Sequence, residues 1–160
     1  MTDPTMNAIT AAVERGRAGE RDAARTELTA LWREIGPLGD ALHRCALAHY
    51  LADLHDDPAR ALTWDIRALD AADSVTDEQV AAAGAGPTAR GFSPSLHLNL
   101  ADNFRRLGSF AAARDELAAA RAHVDALADD AYGAMIRTAL DEIEADIDAG
   151  RTEPRASAPR

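Results

Sequence analysis

One segment of this chain occurs twice. Residues 17–35, RAGERDAARTELTALWREI, align without a gap on residues 106–124, RLGSFAAARDELAAARAHV. Arg17, Gly19, Ala23, Ala24, Arg25, Glu27, Leu28 and Ala30 recur as Arg106, Gly108, Ala112, Ala113, Arg114, Glu116, Leu117 and Ala119. Alanine richness inflates such a match, but the shared glycine and the Ala-Arg-x-Glu-Leu string do not depend on it. A repeated supersecondary unit buries its apolar face against the next copy, which restricts the fold to a stack of like units. Each copy reads as a helix, a glycine turn and a second helix.

The rest of the chain fits that scheme. Apolar residues at helical spacing place a first pair of helices over about 6–17 and 20–35, closed by Gly36-Pro37-Leu38-Gly39. A second pair covers about 40–55 and 58–73; Leu47, Leu51 and Leu54 mark the first, and Leu62, Ile66 and Leu69 the apolar stripe of the second. Between them Asp57 stands where an N-cap belongs, and Pro58 is tolerated in a first helical turn. Thr76 and Gln79 have capping-box spacing at the head of a short helix over 76–83. Gly84 to Ser93, with three glycines and a proline, is a loop or mobile insert. A third pair spans about 94–107 and 109–127. A final helix over 130–149, with Tyr132, Met135, Ile136, Leu140, Ile143 and Ile147 on its stripe and an acidic opposite face, ends at Gly150 and caps the stack. The expected fold class is all-α: one domain over residues 1–150, with units at about 6–35, 40–73 and 94–127, and a disordered tail over 151–160 containing two prolines.

Composition removes several function classes. The 160 residues hold 27 acidic and 17 basic side chains, a formal net charge of −10, and every basic residue is arginine. A phosphate loop of the usual kind and Schiff-base chemistry both need a lysine. Nucleic-acid binding needs a basic face, which so acidic a chain does not suggest. Gly84-Ala85-Gly86-Pro87 follows no strand and is not a dinucleotide loop. No apolar run reaches membrane-spanning length, and Met1–Thr5 does not read as a leader, so a cytoplasmic location without membrane or nucleic-acid partners is expected. Cys45, the single cysteine, reads as a small packing residue.

Residues 97–120, HLNLADNFRRLGSFAAARDELAAA, carry a family resemblance. Leu100-Ala101, Phe104, Gly108, Phe110, Ala113, Leu117 and Ala120 fall at the spacings of a tetratricopeptide repeat, which this segment resembles. In the first unit Ala12, Gly19, Ala24, Leu28 and Leu31 match, while Arg15 and Arg21 replace the aromatics. In the middle unit Ala48, Leu51 and Ala61 match if the turn carries one extra residue. The 74–93 insert departs from the family's regular spacing. The resemblance implies a superhelix of about three α-hairpins plus the capping helix, functioning as a non-catalytic protein-interaction module without a cofactor.

In that family the first helices line a concave groove that holds a peptide. The positions matching that face are Met6, Ile9, Val13 and Arg17 in the first unit, Cys45, His49 and Asp53 in the second, and Leu98, Asn99, Asp102, Arg105 and Arg106 in the third. The groove is expected to be apolar at one end and charged at the other, suited to a basic or amphipathic segment. The family's lysine-containing carboxylate clamp has no counterpart here. An alternative gathers His49, Asp53, His97 and Asp102 between repeats as a small enzyme or metal site. Cys45, His49 and Asp53 share a helix face, but positions i and i+8 lie about 12 Å apart along a straight helix, too far for one ion. A homo-oligomeric scaffold, a homodimer for instance, is a further alternative. Trp32 and Trp64 lie near apolar stripes and read as packing residues; His43 and His55 sit in or beside first helices.

Overall fold

The computed structural model describes residues 3–158, which form eight α-helices and no β-strand among the described residues. They are α1 (Pro4–Arg17), α2 (Arg21–Ile35), α3 (Ala41–Asp53), α4 (Pro58–Ala72), α5 (Asp77–Ala82), α6 (Ser93–Arg106), α7 (Phe110–Arg121) and α8 (Ala131–Asp148). Short 3-10 turns lie at Ala89–Phe92 and Val124–Ala126. The fold is all-α, and no described helix is long and apolar enough to cross a membrane.

Helix starts follow local side-chain chemistry. Asp3, Asp40, Asp57 and Asp130 each accept a hydrogen bond from a backbone N–H of the helix they open. This satisfies donors that have no partner within the helix. Thr76 and Gln79 form the reciprocal capping box at α5. The two repeated glycines end their helices identically. Gly19 and Gly108 have φ of 102° and 76°, and the residue after each donates to the carbonyl five positions back, Glu20 to Arg15 and Ser109 to Phe104. That left-handed closure favours glycine, and it turns each chain tightly into its second helix.

The helices pack as successive hairpins: α1 with α2, α3 with α4, and α6 with α7. The first hairpin lies against α3, α4 against α6, and α8 against α6 and α7. Small residues set the helix spacing. Ala12, Ala24, Ala48, Ala68, Ala101, Ala113 and Ala120 are all fully buried at helix contacts, letting backbones approach closely. Larger side chains such as Leu28, Leu47, Leu100 and Leu140 fill the remaining space. On the outer side, Trp32 of α2 and Trp64 of α4 meet edge to face at 5.2 Å, with Arg44 and Arg67 over their rings at 4.2 and 4.4 Å. These are favourable aromatic and cation–π geometries that tie the first hairpin to the second.

Three elements differ from the sequence reading. The second helix of the third unit stops at Arg121 rather than near 127, and a 3-10 turn brings Val124 and Leu127 into the α6–α8 core. The buried face of α4 is Ala61, Asp65, Ala68 and Ala71, while Ile66 is half exposed, because α4 is squeezed between α3 and α6 where only small side chains fit. Tyr132 and Met135 project outward from α8, whose buried stripe is Ile136, Leu140, Ile143 and Ile147. The 74–93 insert does not reach over the inner face. Its Val80 is buried beside α3 and α4, and Gln79 donates to Asp40 at 2.9 Å.

The tail also departs from expectation. Residues 151–158 fold back over α6 and α8 instead of hanging free. Arg105, 0% exposed, donates to the backbone carbonyls of Arg151 and Glu153, both at 2.8 Å. Arg155, 8% exposed, lies between Asp102 and Glu142. Proline-rich composition suggested disorder, but ion pairing to the folded body supplies the ordering free energy that the tail's own residues lack.

Candidate functional site

A hollow opens between α3, α4 and α6, with Arg21 of α2 and the residues after α8 at its rim. It encloses about 480 Å³ and is lined by Arg21, Ala52, Asp53, His55, Asp56, Ala61, Asp65, Asn99, Asp102, Asn103, Arg106, Pro154, Arg155 and Ala158. Its polar groups are carboxylates from α3, α4, α6 and the turn after α3, amides from α6, and guanidinium groups from α2, α6 and the tail, set among Ala52, Ala61, Pro154 and Ala158. A smaller neighbouring depression of about 130 Å³ is formed by Val13, Gly16, Arg17, Arg21, Tyr50, Asp53 and Leu54.

Asp65 anchors the hollow. Its residue is 1% exposed, although it sits where the apolar period of α4 calls for a small hydrophobic residue. Asn103 donates to one oxygen at 2.7 Å and Asn99 to the other at 3.3 Å. His49 Nδ1 of α3 stands 3.9 Å from the same oxygen as Asn99 and 3.4 Å from the Asn99 amide nitrogen. Burial pushes the Asp65 carboxyl well above the usual carboxylate range, and the nearby Asp53 charge adds to it; the two amide bonds pull the other way without cancelling the shift.

Asp53 differs from Asp65. It is reachable from solvent inside the hollow, yet the surrounding protein raises its carboxyl, against the charges of His49, Arg155, Arg21 and Arg17. Among the described residues its carboxylate makes no hydrogen bond or ion pair, whereas its backbone carbonyl accepts from Arg21 at 3.2 Å. Arg25 reaches the Leu54 carbonyl at 2.9 Å and Arg106 the Asp56 carbonyl at 2.9 Å. Three arginines from two other helices thus occupy the C-terminal end of α3, where its dipole favours cations.

Asp102 is the third carboxylate. Arg105 donates to its Oδ1 twice, at 3.0 and 2.7 Å, and Arg155 Nε lies 3.4 Å from Oδ2. Beneath the tail, Arg105 also lies 3.6 Å from Asp146, which in turn accepts from Arg151 Nε at 2.7 Å. Arg155 Nη1 donates to Ser157 Oγ at 2.8 Å and stands 3.5 Å from Glu142, to which Ser157 is also bonded.

The residues expected to form the groove divide into two sets. Asp53, Asn99, Asp102 and Arg106 line the main hollow, and Val13 and Arg17 the adjoining depression; His49 stands just behind, against Asp65 and Asn99. Ile9, Cys45 and Leu98 are buried in the core instead, which leaves Val13 as the apolar groove position at the surface of that depression. The cause is that α1, α3 and α6 are covered on more than one side, and each sends its apolar residues inward. Burial raises the Cys45 thiol to about 12, which keeps it un-ionised and inert. Arg105 lies below the tail rather than on the groove wall. Asn103 and Arg155 were not anticipated. Asn103 stands four residues beyond Asn99 on one helix face, a spacing visible in the sequence; Arg155 left no such signal.

The alternative cluster does not assemble. His97 Nδ1 pairs with Glu116 of α7 at 2.6 Å, because two residues along a helix from Asn99 is nearly the opposite side. No group of three or more His, Cys, Asp or Glu side chains is placed to hold a metal ion among the described residues. His43 pairs with Asp3 at 2.6 Å, also away from the hollow. No protein-family model matches the chain, and no curated protein or solved structure matches it.

Proposed function

We propose that this chain is a non-catalytic interaction module of the tetratricopeptide type, holding a segment of another protein in the hollow between α3, α4 and α6. One observation carries the reading: the hollow's edge already holds a non-helical length of chain, residues 151–158, which ends in a turn with the Ala158 N–H on the Arg155 carbonyl. Arg105 grips two of that segment's main-chain carbonyls, a contact any peptide can make, while Arg155 supplies the side chain directed toward the carboxylates. Main-chain capture with one or two side-chain pockets is how grooves of this kind obtain both affinity and selectivity. The Asp53 carboxylate, unpaired among the described residues, favours a basic or amphipathic partner segment.

The test is co-purification with the tagged full chain as bait, set against the Asp53→Ala variant. Asp53 suits this purpose because its removal strands no partner among the described residues. Wild type is expected to retain one protein in near-stoichiometric amount, and the variant to recover at least about tenfold less, the effect of roughly 1.4 kcal/mol at a binding site. Identical recoveries from both baits, or nothing specific from either, contradict the reading.

A further inference from the structure

We infer that the hollow recognises its partner through an arginine side chain, and that Arg155 of the tail is a tethered stand-in that the partner displaces. The inference rests on the peptide-binding reading above and specifies its chemistry. Asp53 of α3 and Asp102 of α6 offer carboxylates to the hollow; Asp56, in the turn after α3, is exposed and paired with Arg21, and Asp65 of α4 is buried against two amides. A planar guanidinium, with five donors in a fixed fork, can satisfy acceptors on several sides at once; an ammonium is a compact point charge.

The resident arginine uses this site poorly. Its Nε is buried without a hydrogen-bond partner although Asp102 is 3.4 Å away, and Glu142 is 3.5 Å from Nη1. Its one short bond, at 2.8 Å, goes to Ser157 of the same tail. A buried donor left unsatisfied weakens the contact it belongs to, so the tail is held below the affinity its charges would allow. Beside it the hollow remains open, and Asp53 keeps an unengaged carboxylate. A partner segment placing its guanidinium deeper, between Asp53 and Asp102, gains bonds that Arg155 forgoes. Arg105 then offers the incoming main chain the donors that now hold Arg151 and Glu153.

The probe is a fluorescent peptide of residues 150–158 added in trans to the full chain and followed by anisotropy. Tethering gives the tail an effective concentration near millimolar for a short flexible link. The Arg155→Ala chain is therefore expected to bind the probe about tenfold or more tightly than wild type does. Ser157→Ala in the chain, which leaves Arg155 and every helix residue in place but removes the tail's own bonds to Arg155 and Glu142, is expected to move binding the same way by a smaller factor. That variant provides a second reading if the first folds poorly. A probe carrying Arg155→Ala is expected to lose at least about tenfold, and one carrying Arg155→Lys to fall between.

Equal binding of the arginine probe by wild type and both variants overturns the competition. Equal binding of arginine and alanine probes by the Arg155→Ala chain overturns arginine recognition while leaving a peptide groove standing. Failure of folded variants to bind any probe overturns the inference, and the co-purification then decides the functional reading alone.

Discussion

Arg105→Ala is expected to remove about 3–5 kcal/mol of stability, the range for deleting one partner from a buried ion-pair network. The residue is fully buried at the centre of such a network, between Asp102 and Asp146 and under the carbonyls of Arg151 and Glu153. Without it, two carboxylates share a poorly solvated space with no cation of their own at its centre, and the tail loses both main-chain anchors. Urea unfolding monitored by circular dichroism measures the loss. Trypsin cleavage at Arg151 and Arg155 is expected to accelerate in the same variant under native conditions, because local opening of the tail becomes easier. A change below about 1 kcal/mol, the range of an exposed pair, means that Arg105 does not hold the tail. By contrast, exposed bridges such as Arg15–Glu27 and Arg121–Glu144 belong to that weaker class, where screening and side-chain entropy cancel most of the attraction.

Asp65→Asn is expected to stabilise the protein at neutral pH and to leave it nearly unchanged near pH 4. The folded state raises this carboxyl above its ordinary value, through burial first and the Asp53 charge second. An acid whose folded pKa is raised is a source of stability only while it is protonated. That contribution is fully present below the unfolded pKa and is lost as pH rises through the folded pKa. Asparagine stays neutral throughout, and its carbonyl can still accept from Asn103. The variant's advantage therefore opens as pH climbs above about 4, where an unfolded aspartate begins to ionise, and levels off once Asp65 ionises in the folded protein. In a chain of this size each kcal/mol moves Tm by about 2–4 °C. Thermal melts of both proteins from pH 4 to pH 8 give the curve; parallel Tm values across that range contradict a buried, reluctantly charged Asp65.

Helices and caps were readable because their determinants are local. Asp57, Thr76 with Gln79, and the paired Gly19 and Gly108 each act within a few residues of themselves. The face of α4 was misread because apolar periodicity ranks side chains by size, whereas a helix clamped between α3 and α6 selects for smallness. Ala61, Ala68 and Ala71 therefore went inward and Ile66 did not. Asp65 in that alanine stripe was the available sign of a buried polar site. In the groove, Asp53, Asn99, Asp102 and Arg106 came from matching first-helix positions to the tetratricopeptide resemblance, while Ile9, Cys45 and Leu98 were placed on that surface because the resemblance implies first helices with one open side. Docking of the tail depends on pairs such as Arg105 with Glu153 and Asp102 with Arg155, separated by dozens of residues, and no local pattern announces them.

Photo-crosslinking tests the peptide-holding hollow most directly. The peptide of residues 150–158, with a photoreactive side chain in place of Ala156, is irradiated with the full-length Arg155→Ala protein, and the adducts are mapped by mass spectrometry. The account predicts adducts on the hollow-facing residues of α3 and α6 and the adjoining side of α8, abolished by excess unlabelled peptide. Adducts on α5 or α7, or spread evenly along the chain and indifferent to competitor, would contradict it.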